Sequence, residues 1–267
     1  MSPTTIILSF FFGAIIGSFL SVVVYRTHKK QKIGFKSRSI CPYCKQKLKA
    51  RYLVPFFSYL LLGGKCGYCK TKISPNYFLI ELFTATIFLL SFMKWTFIEI
   101  KPELNFHLDP LLLFLFHITV FSFLIAIFFY DLTYKLIPDR FSLPAIVIAL
   151  IGSLLLKTMP PLEILLGGFG IFLFFAAQFY FSNGKWIGGG DLRLGAIIGF
   201  LLGWKLGIVA LLLAYVLGSL FSIPLLLTKK INRKTQIAFG PFLITGTFIS
   251  VFLGEKILNF YLMNLAI

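Results

Sequence analysis

Charge is what this sequence has least of. Asp, Glu, Lys and Arg make up 13% of its 267 residues, while 58% are hydrophobic and 33 are Phe. A soluble globular chain would carry roughly 25% charge, so the shortage excludes an ordinary soluble domain. Acids are scarcer still, and none of the nine precedes Glu81. No basic stretch precedes the first apolar run, residues 4–25, and no small-residue cleavage site closes it. The expectation is a retained first span rather than a secretory signal peptide. There is no low-complexity linker and no convincing internal repeat. The expectation is one membrane body with a single non-membrane module.

Several apolar runs reach the length that a helix needs to cross a bilayer, about 20 residues. They lie near 4–25, 77–97, 110–130, 141–157, 163–182, 190–204, 206–227 and 237–254. The fold class is therefore an all-α polytopic membrane protein of about eight transmembrane helices. Residues 26–72 hold 13 Lys and Arg and no acid, which marks the cytoplasmic side. With that loop inside, 21 of the 26 Lys and Arg fall on the inner side and five outside. Both termini are then outside. The sixth span is short, and Gly203-Trp204-Lys205 barely makes a turn. The expected division is a first span (1–25), a cytoplasmic basic loop (26–76) and a seven-span core (77–267). The basic loop would also be attracted to anionic membrane lipids.

All four cysteines lie in that loop, as CPYC (Cys41, Cys44) and CGYC (Cys66, Cys69), in the pattern C-x2-C-x21-C-x2-C. Two close pairs let four thiolates surround one tetrahedral Zn²⁺. The competing reading, two disulfides, is disfavoured in a reducing compartment. Four thiolates leave no open position for a substrate, so the zinc would be structural, folding a knuckle with little core of its own. Positive-inside charge already explains the lysines, and no nucleic-acid partner is expected.

Five acids (Glu99, Glu103, Asp109, Glu163 and Glu255) fall in outer loops or at outer span ends. Four lie on the inner side: Glu81, Asp131, Asp139 and Asp191. An acid at a hydrocarbon boundary is costly and usually has a partner or a task. Asp139 follows Pro138 and is placed to cap the next helix. Asp131 ends an apolar span, where the helix dipole disfavours a negative charge. Asp191 follows Gly188, Gly189 and Gly190 and opens the sixth span, where the dipole favours it. Its plainer reading is a helix cap with glycine punctuation. The glycines also offer unusual backbone conformations and close approach of another chain. Two carboxylates at opposite helix poles suit a two-acid catalyst, in which one activates water and the other donates a proton. No serine stands in a nucleophile's context, and the cysteines are read as metal ligands. His28, His107 and His117 sit in no triad-like context, and His117, inside a span, reads as a helix-packing contact.

These motifs resemble those of the bacterial prepilin peptidases, within the GxGD intramembrane aspartyl proteases. GAIIGSFLSVVVYR (13–26) is similar to that family's first-span signature, with Ser21 where Asn is usual. CPYC and CGYC resemble its cysteine tetrad. VPFFSYLLLGGKCGYCKTKISPNYFLIE (54–81) is similar to the segment that enters span two. FFYDLTYKLIPD (128–139) and IGGGDLRLGAIIGFLLGW (187–204) resemble its two aspartate motifs, and IAFGPFLITG (237–246) its closing signature. The resemblance implies catalysis by Asp131 and Asp191, supported by Gly188, Gly190, Asp139 and Glu81, the last orienting either chain or substrate. It implies cleavage of a short basic leader from type IV prepilins or pseudopilins at the cytoplasmic face of the bacterial inner membrane. It also implies N-methylation of the new N-terminus with S-adenosylmethionine, although no glycine-rich strand-to-helix turn marks a methyl-donor site.

Two other classes compete. A transporter or channel with a carboxylate relay predicts inverted repeats and acids near the bilayer midplane. A zinc-knuckle scaffold predicts that Asp131 and Asp191 matter only for stability.

Overall fold

The computed structural model describes residues 3–32, 39–97, 110–229 and 237–265. Glu99, Glu103, Asp109 and His107 lie outside the described residues, as do Lys101, Lys230, Arg233 and Lys234. Among the described residues the chain forms eight α-helices and one 3-10 turn. It divides into two compact units, Met1–Phe129 and Tyr130–Ile267.

The first unit contains α1 (Pro3–His28), the 3-10 turn Ala50–Tyr52, α2 (Phe57–Leu61), α3 (Asn76–Phe97) and most of α4 (Pro110–Tyr134). Arg26 and His28 occupy the last turn of α1, where a cation suits the negative helix pole. α1 and α3 pack closely along Gly13 and Gly17. A Cβ on Gly13 would sit 2.8 Å from Ala85 Cα, and one on Gly17 2.8 Å from Glu81 Cα. Small residues four apart let membrane helices approach this closely. His117 is buried, with Nδ1 2.7 Å from the Leu113 carbonyl and its ring 4.2 Å from that of Trp95. It is a packing contact, as expected.

The second unit holds the end of α4 with α5 (Asp139–Leu155), α6 (Pro161–Ser182), α7 (Gly189–Leu227) and α8 (Gly240–Leu265). Lys135, in a left-handed conformation at φ 55°, ends α4. Asn183 (φ 49°) and Gly184 (φ 70°) end α6 the same way. α7 is 39 residues, about 58 Å at 1.5 Å per residue, nearly twice the hydrocarbon thickness. It does not run straight. Gly203, at φ 69° and ψ −177°, breaks it into two helices. The break falls where Gly203-Trp204-Lys205 predicts a short turn, and Lys205 there pairs with Glu163 at 3.2 Å. Among the described residues six helices are individually long and apolar enough to cross a membrane. Dividing α7 at Gly203 and adding the 17-residue α5 makes the eight spans expected.

Glycines recur every four residues along α7, at 195, 199, 203 and 207. A Cβ on Gly199 would run into the backbone of Gly167 in α6, and one on Gly195 into the Phe175 ring. α8 packs on α7 through Gly246, whose face is filled by the Ala210 carbonyl, and through a 2.8 Å bond from Ser250 Oγ to the Leu206 carbonyl. This three-helix packing fixes where the amino ends of α7 and α8 meet the last turn of α4.

Candidate active site and cysteine centre

The two cysteine pairs are built alike. Ile40 bridges Lys47 and Lys65 bridges Lys72, each closing a small hairpin. In each, the first cysteine N–H donates across the hairpin, Cys41 to Gln46 and Cys66 to Thr71. The first cysteine carbonyl accepts from a lysine N–H, Lys45 or Lys70, and both lysines are left-handed, at φ 60° and 58°. The sequence explains the likeness: CPYCKQK and CGYCKTK share C-x-Y-C-K-x-K. That short duplication is an internal repeat, contrary to the expectation of none. Tyr52 and Tyr68 meet edge to face at 5.4 Å beside it.

All four thiols are free of disulfides, and their sulfurs lie within 4.8 Å of one another. A tetrahedral zinc with Zn–S bonds of about 2.3 Å needs sulfurs roughly 3.8 Å apart. Cys41 and Cys69 Sγ are 3.9 Å apart. The donor set therefore fits a closed thiolate metal site. The Thr71 hydroxyl and backbone N–H pull the Cys69 thiol down to about 6. Cys44 moves the other way, to about 11. The Gln46 N–H lowers it, but desolvation and proton sharing with Cys41 and Cys69 raise it more.

Glu81 is buried in α3, and its Oε2 accepts the backbone N–H of Phe56 at 3.0 Å. Of the two roles left open for it, the geometry here is that of orienting its own chain.

In the second unit Asp131 lies in the last turn of α4 and Asp191 in the first turn of α7, 4% and 8% exposed. The Asp131 charge is felt at Asp191. Asp191 is not an N-cap. It is the third helical residue: its Oδ2 accepts the Gly188 N–H at 3.1 Å, and its own N–H donates to the Gly188 carbonyl at 3.0 Å. Asp131 lacks such help from its own helix, whose carbonyl end disfavours an anion. Another helix supplies it. The N–H of Gly240, first residue of α8, donates to the Asp131 carboxylate. A Cβ at Gly240 would stand 2.5 Å from Asp131 Oδ2. Each carboxylate thus faces a helix amino terminus. Sequence reasoning did not single out Gly240. Its signals are a glycine followed by Pro241 at a helix start, within the already quoted IAFGPFLITG.

Two supporting expectations need correction. Asp139 does not cap α5. Pro138 is the extended N-cap residue and no side chain caps the helix. Asp139 instead forms an ion pair with Arg193 of α7. Nor do the three glycines adopt unusual conformations: Gly188 has φ −78° and none of the three has positive φ. The need at Gly190 is closeness. A Cβ there would lie 2.6 Å from Ile137 Cβ, whereas one on Gly189 would meet nothing.

Paired buried carboxylates at helix ends, with backbone donors aimed at them, are equipped for acid–base work on water. Comparison with known proteins points the same way. Residues 11–95 match the Bacterial Peptidase A24 N-terminal domain, and residues 118–223 match the Type IV leader peptidase family. A Bacillus subtilis protein called Prepilin leader peptidase/N-methyltransferase is 31% identical over 95% of this chain and 96% of its own. Proteins of the same name are 30% identical in Neisseria gonorrhoeae, over 93% of this chain and 91% of their own, and 28% identical in Pseudomonas aeruginosa, over 94% and 91%. No solved structure matches. With near-complete coverage at this identity, and with both aspartate motifs in place, the chain belongs to the type IV leader peptidase family.

Proposed function

We propose that this chain is an intramembrane aspartyl endopeptidase that removes the short basic leader of type IV prepilins or pseudopilins. The single observation that carries the reading is the carboxylate pair: Asp131 and Asp191, both buried, each facing a helix amino terminus. In the proposed reaction one carboxylate, ionised, takes a proton from water as its oxygen attacks the scissile carbonyl carbon. The other, protonated, gives its proton toward the carbonyl oxygen, and the leaving amine departs carrying a proton from the pair. The N–H groups of Gly188 and Gly240 hold the two carboxylates in place through this exchange. Gly190 lets Ile137 pack beside Asp191, and Asp139 ties α5 to α7 through Arg193.

The pair lies at span ends rather than mid-span, at the depth where a leader joins an apolar helix. The charge count supports that edge facing the cytoplasm at the bacterial inner membrane, with both termini outside and residues 26–76 inside. Cys41, Cys44, Cys66 and Cys69 would hold a structural Zn²⁺, whose contribution is to fold the loop. N-methylation of the new N-terminus by S-adenosylmethionine follows from the names of the relatives alone, and no residue is assigned to that donor.

The test is prepilin cleavage in liposomes by the wild type and by Asp131→Asn and Asp191→Asn. Each substitution is expected to cost at least about 10³-fold, the upper range for a general acid or base, with helix content unchanged. Near-normal cleavage by either variant would reduce that aspartate to a helix-end contact.

A further inference from the structure

The loop between α1 and α3 does not stay at the surface. Phe56 belongs to its middle, yet the ring is buried with Ala14 and Ala85 and stacks on Phe10 at 5.6 Å. Ala85 lies nine residues into α3, about 14 Å along the axis. Ala14 lies twelve residues before Arg26, about 18 Å along α1. Half of a bilayer's hydrocarbon core is about 15 Å. The Phe56 ring therefore reaches to near the middle of the two spans it touches.

The backbone around it is fitted for such a place. Phe56 has φ 62° and ψ −57°, and the Phe57 N–H donates to the Pro55 carbonyl at 2.7 Å. That is the rarer, strained form of γ-turn. The Phe56 N–H, which such a turn leaves without a backbone partner, is taken by the buried Glu81 carboxylate at 3.0 Å. Ser58, Leu60 and Leu62 then donate to Val54, Phe56 and Ser58. Gly63 and Gly64, both left-handed, donate to Leu60 and Tyr59 and turn the chain out again. Backbone whose polar groups are paired, within the segment or with the protein behind it, is what hydrocarbon tolerates.

Its side chains divide accordingly. Phe56 and Tyr59 face the spans, Tyr59 stacking on Phe78 at 5.4 Å. Phe57, Leu60 and Leu61 point away and are exposed, Leu61 by 85%. Arg51 precedes the segment and Lys65 follows it, at the positions where cations would meet anionic headgroups.

We infer that residues 53–62 form a re-entrant strap that dips into the membrane leaflet, with Phe57, Leu60 and Leu61 against lipid acyl chains, so that the cysteine knuckle is pinned to the bilayer. This rests on the multi-pass architecture and not on the proposed peptidase reaction. To test it, Trp95, Trp186 and Trp204 are replaced by Phe, and Leu61→Trp is introduced into the full chain in liposomes. Its fluorescence is expected to fall severalfold with lipid brominated on its acyl chains and to be indifferent to aqueous iodide. Tyr43→Trp, on the exposed knuckle, should respond the opposite way. Leu60→Trp serves as second reporter if Leu61→Trp lowers metal content or helix content. Iodide quenching at 61 without lipid quenching would overturn the strap. Protection from both quenchers would also overturn it, since the face would then be covered by protein.

Discussion

The cysteine centre and the aspartate pair are built by opposite routes. Four cysteines come together within 29 residues, each pair held by its own eight-residue hairpin, so that sequence neighbours become spatial neighbours. Asp131 and Asp191 are 60 residues apart, and what surrounds them comes from three helices and a turn: α4 and α7 carry them, α8 brings Gly240, and the turn before α5 brings Ile137. The first site stands on local geometry and, in the proposed reading, on a metal. The second stands on helix packing, and it has no small core of its own to lose. A site of the first kind fails when its ligand is removed. A site of the second kind fails when a backbone contact is displaced.

Metal removal should separate them most sharply. Structural zinc contributes on the order of 10 kcal/mol to the folding of small cysteine modules. Chelation, or Cys66→Ser, is expected to melt the two cysteine hairpins, residues 40–47 and 65–72. Limited proteolysis would then cut among their lysines, while circular dichroism keeps the helical signal of the spans. If the helical signal falls in parallel, the two sites are not independent and the comparison fails.

The next effect concerns the other route. Gly240→Ala places a methyl group 2.5 Å from Asp131 Oδ2, and either the carboxylate or the α8 amino end must move. Displacements of about 1 Å in a catalytic constellation cost up to roughly 100-fold. Prepilin cleavage should fall by about that much, with stability little changed. Gly189→Ala is the control. Its Cβ meets nothing, and it should stabilise α7 by about 0.5–1 kcal/mol, raising the melting temperature while cleavage stays near normal. Equal losses at 240 and 189 would mean that the region's flexibility matters, and not the Gly240 contact.

The sequence revealed the helices because bilayer length and apolarity leave few alternatives, and it even marked the break in α7 through Gly203-Trp204-Lys205. It marked the cysteine centre because C-x2-C is local. Much of the rest depends on contacts between residues far apart in the chain. Asp139 looks like a cap after Pro138, but its partner Arg193 lies 54 residues on. Gly190 looks like a source of conformational freedom, but its neighbour is Ile137 from another element. Gly240 has no charge, and the following Pro241 signals only a helix start. Only the packing of α8 on α7 places its N–H at Asp131. The glycine spacing along α7 was in plain view, yet its meaning as a close α6 contact depends on Gly167 being opposite.

The smallest expected effect tests where the site ends. Asp139 and Asp131 share one motif, eight residues apart. The structure gives them different surroundings. Asp131 is buried under a helix amino terminus, whereas the Asp139 and Arg193 side chains are 60% and 33% exposed. An exposed ion pair contributes about 0–1 kcal/mol. Asp139→Asn keeps the side-chain shape and loses only the charge, so cleavage should stay within about threefold and the change in stability within about 1 kcal/mol. Arg193→Gln should do no more than that, and the double variant no more than either, because both remove the same pair. A loss from Asp139→Asn as deep as that from Asp131→Asn would put a reacting proton on α5. The two helix amino ends that now single out Asp131 and Asp191 would then be a feature of packing rather than of catalysis.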